Sequence, residues 1–291
     1  MTRGVARIGG GLVLLLFLLL ALAWLGIRAS LPQLDGELRV TGLDAPASIL
    51  RDNYGIPVIR AGTRRDLAFA TGFAHGQDRF FQMDLIRRQA AGELSELVGA
   101  AALPLDKRNR MHRFRHRGRL ILENLPDADK KLLTDYASGV NAGLASLDAR
   151  PFEYYLLNAE AREWRPVDSL LVVYAMYIQL NDATAKKELQ RGLAHSILPA
   201  ELFQWMYPAG TEWDAPLSGT PRSTMPIPGP DVVSLRGVPL DVAPINEQGR
   251  RHLPGSNNWA VAGTLSSSGR ALVSNDMHLN LATPNIYYRA R

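Results

Sequence analysis

A change of composition at residue 255 divides this chain into parts that must fold differently. Nine prolines and six glycines fall in the 48 residues from Pro208 to Gly255, which predicts a linker with no regular element. Residues 63–206 before it carry helical patterns, and an alternation typical of strands begins directly after it, at Ser256. The sequence therefore predicts a helical part and a strand part joined by a spacer.

The strand part is predicted to be a β-hairpin. Larger apolar residues alternate with smaller or polar ones in two stretches, at Trp259 and Val261 and then at Ala271 and Val273. Residues 264–270 between the stretches have the composition of a turn. A hairpin folded about residue 267 places Ser256 opposite His278, although a slip of one residue would send the histidine to the other face.

The peptide bond between Gly255 and Ser256 has a chemical consequence if it is cut. The serine would then carry both a hydroxyl nucleophile and a free α-amino group, whose pKa of about 7.7–8.0 allows it to act as a base near neutral pH. Glycine before the serine suits self-cleavage, because it reaches backbone dihedral angles that a Cβ disfavours. The alternative interpretation is that Ser256 is an ordinary loop serine and His278 a surface histidine.

Three motifs follow one another along the chain, at residues 51–59, 72–84 and 255–263, and residues 274–279 extend the last of them. Their sequences are RDNYGIPVI, GFAHGQDRFFQMD and GSNNWAVAG, followed by SNDMHL. In this order they resemble the penicillin acylase family, whose members are N-terminal nucleophile hydrolases that cut amide bonds of penicillins, cephalosporins or acyl-homoserine lactones. The resemblance covers residues 34–291.

The resemblance implies an α+β fold, the αββα sandwich of N-terminal nucleophile hydrolases. It implies a precursor with a signal anchor or signal peptide at 1–30, an α-chain at 31–207, a spacer at 208–255 and the start of the β-chain at 256–291. Family members continue well beyond the nucleophile, to an asparagine that donates to the oxyanion and to metal ligands. We therefore expect the 291-residue chain to be incomplete and inactive by itself.

The resemblance also implies roles for particular residues. Ser256 becomes the catalytic N-terminal serine after autocatalytic cleavage at Gly255–Ser256, and His278 orients its amino group or stabilises charge. Histidine at 278, where penicillin G acylases carry glutamine, points away from phenylacetyl substrates. Met176 and Leu180 align with positions that line the acyl-group pocket.

The resemblance further suggests one structural calcium ion and no organic cofactor. Glu188 is the nearest candidate for the family's calcium-binding glutamate, although Lys186 occupies the ungapped position. The implied partners are a small N-acyl amide substrate and, after processing, the α-chain and β-chain as a heterodimer. Two alternatives remain open: a catalytically inactive, membrane-anchored binding module of the same fold, and a conventional serine hydrolase.

The N-terminus has the pattern of a targeting segment. Arg3 and Arg7 precede an uncharged, leucine-rich run from Ile8 to Ile27, which is nearly long enough to span a bilayer. The arginines predict a cytoplasmic start and a periplasmic or cell-envelope location for the rest. Ala21–Ala23 offers a signal-peptidase site, while the continued apolar run favours an uncleaved anchor; a buried helix of a soluble protein is the alternative.

The chain contains no cysteine, which excludes disulfides, thiolate catalysis and cysteine-ligated zinc. The most basic stretch, residues 107–119, suggests either nucleic-acid binding or a solvated face that can contact anionic lipid headgroups. Because no nucleic-acid-binding signature accompanies the stretch, we expect no nucleic-acid partner.

The remaining patterns predict the secondary structure. Short strands are expected at 37–40, 47–50 and 57–59, and a helix that starts at a Thr63–Asp66 capping box is expected to run to about Leu97. Its polar residues His75, Gln77, Asp78 and Arg79 are predicted to lock the helix to the sheet. Further helices are expected at about 128–147, 167–180, 185–196 and 199–206.

Overall fold

The computed structural model describes residues 2–181, 185–216, 218–234, 236, 256–277, 279 and 282–291, with no side-chain description for 2–9. The chain forms two compact units. The first unit comprises residues 1–181 together with 284–291, and the second unit comprises residues 182–283. The first unit is therefore built from two separate stretches of chain.

The first unit is mainly helical. Its elements are α1 (Thr2–Ala29), β1 (Ser48–Arg51), β2 (Pro57–Arg60), α2 (Arg64–Ala91), α3 (Ser95–Val98), α4 (Leu103–Arg110), α5 (Phe114–Asn124), α6 (Asp127–Ala145), α7 (Phe152–Leu156) and α8 (Pro166–Leu180). The second unit contains α9 (Lys186–Ile197), α10 (Ala200–Met206), β3 (Ser256–Val261) and β4 (Leu272–Met277). β1 pairs with β2 and β3 with β4, each pair antiparallel.

Most of the predicted elements are confirmed, with ends that differ by one or two residues. Two predictions are wrong. Residues 37–40 form no strand, and they pair with no strand of the described chain. The long helix ends at Ala91 rather than Leu97, because Gly92 adopts a left-handed conformation (φ 71°) and caps it by donating to the carbonyls of Arg88 and Gln89.

Helix α2 forms the centre of the first unit. As predicted, Thr63 caps its start: the Thr63 hydroxyl accepts from the Asp66 amide at 3.0 Å and donates to the Asp66 carboxylate at 2.8 Å. The helix is interrupted at Arg79, which has non-helical dihedral angles. It packs against α6, α8 and the β1–β2 hairpin, so that one element supports both the core and the polar residues described below.

Helices α2 and α6 cross at unusually short distance because each presents two glycines to the other. A Cβ added to Gly139 would lie 2.0 Å from the carbonyl oxygen of Phe69, and one added to Gly72 would lie 2.2 Å from that of Tyr136. Gly76 and Gly143 make equivalent approaches, at 2.2 and 2.1 Å. Glycine is required at this crossing because backbone, not a flexible side chain, occupies the space.

The core beside this crossing joins apolar packing to a buried ion network. Phe80, Val140 and Tyr154 are almost fully buried there. The Tyr154 hydroxyl donates to Asp84 at 2.7 Å, and Asp84 also accepts from Arg87 and Arg88, at 2.7 and 2.8 Å. Burial, followed by the nearby Asp84 charge, raises the pKa of Tyr154 above its usual range. The tyrosine therefore stays protonated as a donor.

Among the described residues, one helix is long and apolar enough to cross a membrane. Residues Gly10–Ala29 of α1 have a mean hydropathy of 2.6, and none of this stretch is buried. Its length and composition weakly suggest export, as a signal anchor or a signal peptide would provide.

The β3–β4 hairpin forms as predicted, but its predicted register is wrong by one residue. Ser256 lies opposite Met277, and Val261 lies opposite Leu272. The turn is not symmetric about residue 267: a 3₁₀ turn at Gly263–Leu265 precedes Gly269, which has a φ of 69°. This irregular connection shifts the pairing. His278 lies outside the described residues.

Candidate active site

Ser256 is the first residue of β3 and is exposed. Directly opposed residues of an antiparallel pair point to the same face, so Ser256 and Met277 share one face of the hairpin. On the other face, the Asn257 side-chain amide donates to the Asp276 carboxylate at 3.4 Å. The structure thus sets the serine at the beginning of a paired strand, while Gly255 before it is outside the described residues.

The hairpin presents large apolar side chains to solvent. Trp259 is 52% exposed and Leu272, which shares its face, is 50% exposed. Val273 on the opposite face is 74% exposed. Apolar groups exposed on both faces of a hairpin are typical of a strand pair that is covered by other chain in a larger fold.

Met176 and Leu180 share a side of α8 with Val172, which packs against the core cluster that contains Phe80 and Trp164. The opposite face, at Leu171, Tyr174, Ala175 and Ile178, packs against Phe114 and the end of α2. Met176 is half-buried, whereas Leu180 is 64% exposed. With about 100° per residue, Ser169, Val172, Met176 and Leu180 form one stripe along the helix. The two predicted acyl-pocket residues therefore extend a line that starts at Ser169.

The start of this stripe borders a mostly apolar cavity of about 360 Å³. Ser169 and Val172 of α8 form one side, and α2 and α6 supply the rest of the helical wall. The lining residues from those two helices are His75, Arg79, Gln82, Met83, Ile86, Leu133 and Tyr136, and Trp164, Ile286 and Tyr288 complete it. This cavity and the Met176–Leu180 face belong to the same side of α8.

His75 is a titratable residue of this cavity whose pKa is shifted by its surroundings. Its Nδ1 lies 2.8 Å from the Tyr136 hydroxyl, and its ring meets the edge of Tyr288 at a centroid distance of 4.4 Å. Burial lowers the pKa of His75 from 6.5 to about 4, with Asp78 opposing and Arg79 adding to the shift. His75 is therefore neutral at pH 7.

Asp78 joins α2 to the β1–β2 hairpin and to the last residues of the chain. Its carboxylate accepts two hydrogen bonds from Arg51 of β1, at 2.8 and 2.9 Å, and one from the Tyr288 hydroxyl. Burial, followed by the bond to Asp78, raises the pKa of Tyr288. The prediction that these polar residues lock helix to sheet is confirmed for Asp78; His75 and Gln77 instead bond to Tyr136 and Ser146.

Arg291 pairs with the backbone of β2. The Ile59 amide donates to the Arg291 carbonyl at 2.6 Å, and the Arg291 amide donates to the Pro57 carbonyl at 2.9 Å. Arg291 thus bonds to both Pro57 and Ile59, the two neighbours of Val58, which is the hydrogen-bond pattern of parallel strands. Arg79 reinforces this contact by donating to the carbonyls of Asn285 and Tyr287. The sequence of residues 285–291 predicts the beginning of a strand; no strand forms there, and within this segment Arg291 has strand-like backbone pairing.

Glu188 lies in the first turn of α9, where a carboxylate interacts favourably with the helix dipole. It is exposed and follows Lys186 and Lys187. Calcium takes six to eight oxygen ligands. Within the described part of the chain, no group of three or more histidine or acidic side chains is arranged to hold a metal ion. Glu188 offers one carboxylate and would need ligands from elsewhere.

Several residues around the cavity were not found from the sequence. Tyr136 and Tyr288 are far from each other in the chain, and each reaches His75 only because α6 and residues 284–291 pack on α2. The close helix crossing had a visible signal, since Gly72 and Gly76 on α2 and Gly139 and Gly143 on α6 are each four residues apart.

Comparison with known proteins agrees with the motifs. Residues 46–291 match the family model described as penicillin amidase. Penicillin acylase 2 proenzyme of Pseudomonas sp. (strain SE83) is 34% identical over 272 residues, which are 90% of this chain and 34% of that protein. Acyl-homoserine lactone acylase QuiP of Pseudomonas aeruginosa is 30% identical over 275 residues, 91% of this chain and 32% of that protein.

Among solved structures, penicillin G acylase from Alcaligenes faecalis has a similar fold. The match has a TM-score of 0.50 at 22% identity and covers 61% of this chain and 98% of that one. This chain spans about a third of the length of the two curated relatives. The family model extends over more than four fifths of the sequence and includes all three motifs, so the chain belongs to the penicillin acylase (penicillin amidase) family, with the fold of an N-terminal nucleophile hydrolase.

Proposed function

We propose that this chain is the N-terminal part of an amidohydrolase precursor, which cuts itself at Gly255–Ser256 and uses Ser256 as an N-terminal nucleophile. The observation that carries the proposal is the position of Ser256 at the start of β3 in a chain of this family. The proposed substrates are N-acyl compounds, of the kind named for the relatives: penicillins and acyl-homoserine lactones.

In the proposed reaction, the Ser256 hydroxyl oxygen attacks the acyl carbonyl while its own α-amino group takes the proton, directly or through a water. The tetrahedral intermediate collapses to an acyl-ester as the amine leaves with a proton. Water then releases the carboxylic acid and regenerates the serine. A free α-amino group has the right pKa for this work near neutral pH, whereas the same nitrogen in a peptide bond is not basic.

Met176 and Leu180 are proposed to contact the acyl group. This role is supported because Leu180 is exposed and Met176 is half-buried, on the side of α8 that borders an apolar cavity. Flexible methionine and a branched aliphatic residue suit an apolar chain. His278 is proposed to orient the α-amino group or to stabilise charge, and it remains a prediction because it lies outside the described residues.

The remaining parts of the proposal concern the environment of the enzyme. Residues 10–29 are proposed to anchor or export the protein, so that the activity faces the periplasm or cell envelope. Glu188 is proposed as one ligand of a structural calcium ion. No step of the reaction uses this ion. After cleavage the two chains are proposed to stay together as a heterodimer.

The test is intact mass and N-terminal sequencing of the protein made from the full reading frame. The proposal expects a fragment that begins Ser-Asn-Asn-Trp, none in Ser256→Ala, and normal cleavage in Ser267→Ala, which alters an exposed serine of the hairpin turn. Hydrolysis of N-acyl amides should follow the same pattern. A folded, uncut wild-type protein that binds acyl amides without hydrolysing them would instead support a binding module.

A further inference from the structure

A second cavity in the first unit is lined by charged residues. It has a volume of about 370 Å³ and lies apart from the residues assigned to acyl binding. Six of the nine lining residues are arginines and three are acids: Arg87, Arg88, Arg115, Arg119, Arg162, Arg165, Glu93, Glu163 and Asp168. The fold thus keeps an open space into which many guanidinium groups face.

The floor of this cavity is rigid. Arg87 is 3% exposed and donates to Asp84, Asp168 and two backbone carbonyls at 2.7 to 2.8 Å. Arg88 is also 3% exposed and donates to Asp84 and Glu96 at 2.8 and 2.7 Å. These bonds fix both guanidinium groups, so the floor cannot rearrange to neutralise charge at the rim.

Arg115 forms the wall between floor and rim. It forms a bidentate salt bridge with Glu93, with both hydrogen bonds at 2.6 Å, and donates to Asp168 at 2.9 Å. Burial opposes its charge, but the bonds to Glu93 and Asp168 outweigh it and raise the pKa of Arg115. The carboxylates of Glu93 and Asp168 are therefore already paired with Arg115.

The rim holds the excess positive charge. Arg119 and Arg165 are exposed, and neither forms an ion pair with a described residue. Arg162 shares Glu96 with Arg88, at 2.8 Å. The carboxylate of Glu163 is the acid that opposes them at the rim. Even when Asp84 and Glu96 are added to the lining acids, arginines remain in excess by one.

We propose that this cavity binds a phosphate group. Guanidinium forks match the geometry of phosphate and carboxylate oxygens. The arginines approach the cavity from three directions: from α2, from α5 and from the residues before α8. A tetrahedral phosphate presents oxygens in several directions and can meet all of them. The two oxygens of a carboxylate lie in one plane. The phosphate could be a free ion or the headgroup of an anionic phospholipid, since both present the same chemistry.

The first experimental arm measures binding of inorganic phosphate to the full-length protein by calorimetry at constant ionic strength, with acetate and chloride as comparisons. We expect saturable phosphate binding that becomes about tenfold weaker for each rim arginine replaced, in Arg119→Gln and Arg165→Gln. Arg108→Gln is the matched control, because Arg108 is exposed on α4 and does not line the cavity. Its affinity should equal that of wild type.

The second arm measures sedimentation of the same proteins with phosphatidylglycerol or phosphatidylcholine vesicles. The N-terminal segment is common to all variants, so a difference between them reports the cavity. Phosphate binding in solution that depends on the rim arginines supports a free phosphate ligand. Rim-dependent binding to phosphatidylglycerol alone supports a headgroup. Binding in neither arm, equal losses in Arg108→Gln, or acetate binding as tight as phosphate would overturn the proposal.

Discussion

The crossing of α2 and α6 makes a sharp prediction for Gly139→Ala. The new methyl carbon would start 2.0 Å from the Phe69 carbonyl oxygen, while ordinary contact begins at 3.4 Å. The obstacle is helical backbone, which cannot rotate away as a side chain can. The helices must therefore separate by more than an ångström, and the approaches at Gly72, Gly76 and Gly143 would open with them.

The magnitude follows from two opposing effects. Overpacking costs about 1–3 kcal/mol, and separation exposes part of buried Val140 and its neighbours, each worth about 1.5–3 kcal/mol when fully exposed. The gain in helix propensity returns only about 0.5–1 kcal/mol. We expect a net loss of about 3 kcal/mol in the free energy of unfolding of the first unit. In a unit of this size that corresponds to a melting temperature lower by roughly 6–12 °C.

The assay is urea and thermal unfolding followed by far-UV circular dichroism. Gly192→Ala is the matched control: Gly192 is also inside a helix, but nothing lies within 4 Å of a Cβ added there. That variant should be unchanged or more stable, by up to about 1 kcal/mol. If Gly139→Ala were as stable as Gly192→Ala, the close crossing would not exist in solution and the argument would fail.

Three further predictions concern the candidate site. Asp78→Asn removes the carboxylate of the partly exposed bidentate salt bridge with Arg51 and should lower the free energy of unfolding in urea by about 1–2 kcal/mol. Asp127→Asn replaces a fully exposed acid and should leave that free energy almost unchanged. The pKa of His75 is lowered to about 4, so between pH 6.5 and 4 the unfolded state binds a proton that the folded state does not. The free energy of unfolding should therefore fall as the pH drops through that window, by up to about 3 kcal/mol before solvent screening. His75→Gln should reduce this dependence of the free energy of unfolding on pH. On the proposed function, Met176→Trp should shift kcat/KM toward shorter acyl chains, while Leu189→Ala on exposed α9 leaves the chain-length profile unchanged.

The sequence predicted the elements better than it predicted their contacts. Helix existence followed from apolar periodicity and from the Thr63 cap, which are local features. The end of α2 was misjudged because apolar residues continue in register past Gly92, and the left-handed conformation of that glycine ended the helix. The strand predicted at 37–40 is absent for a different reason: an extended segment becomes a strand only when a partner strand lies beside it, and local sequence does not predict that partner.

The hairpin register could not be derived from alternation alone. The predicted register pairs Val261 with Val273, whereas Val261 lies opposite Leu272. The 3₁₀ turn at Gly263–Leu265 shifts the pairing by one residue and so moves Val273 to the other face. The basic stretch at 107–119 was mostly a solvated face, as expected. Arg115 is the exception, because its partners Glu93 and Asp168 come from distant parts of the chain. Local sequence does not report such partners.

The first unit is formed by two stretches of chain, residues 1–181 and 284–291, as in a protein assembled from two complementing fragments. Residues 284–291 join β2 and α2 through backbone and side-chain bonds of their own, and the connection that leads to them from residue 181 constrains the ends by only about 4 kcal/mol of chain entropy. A break between residues 208 and 255 would leave two polypeptides that each contain residues of the first unit. Made separately, they should recognise each other by completing the edge of β2, as complementing fragments do.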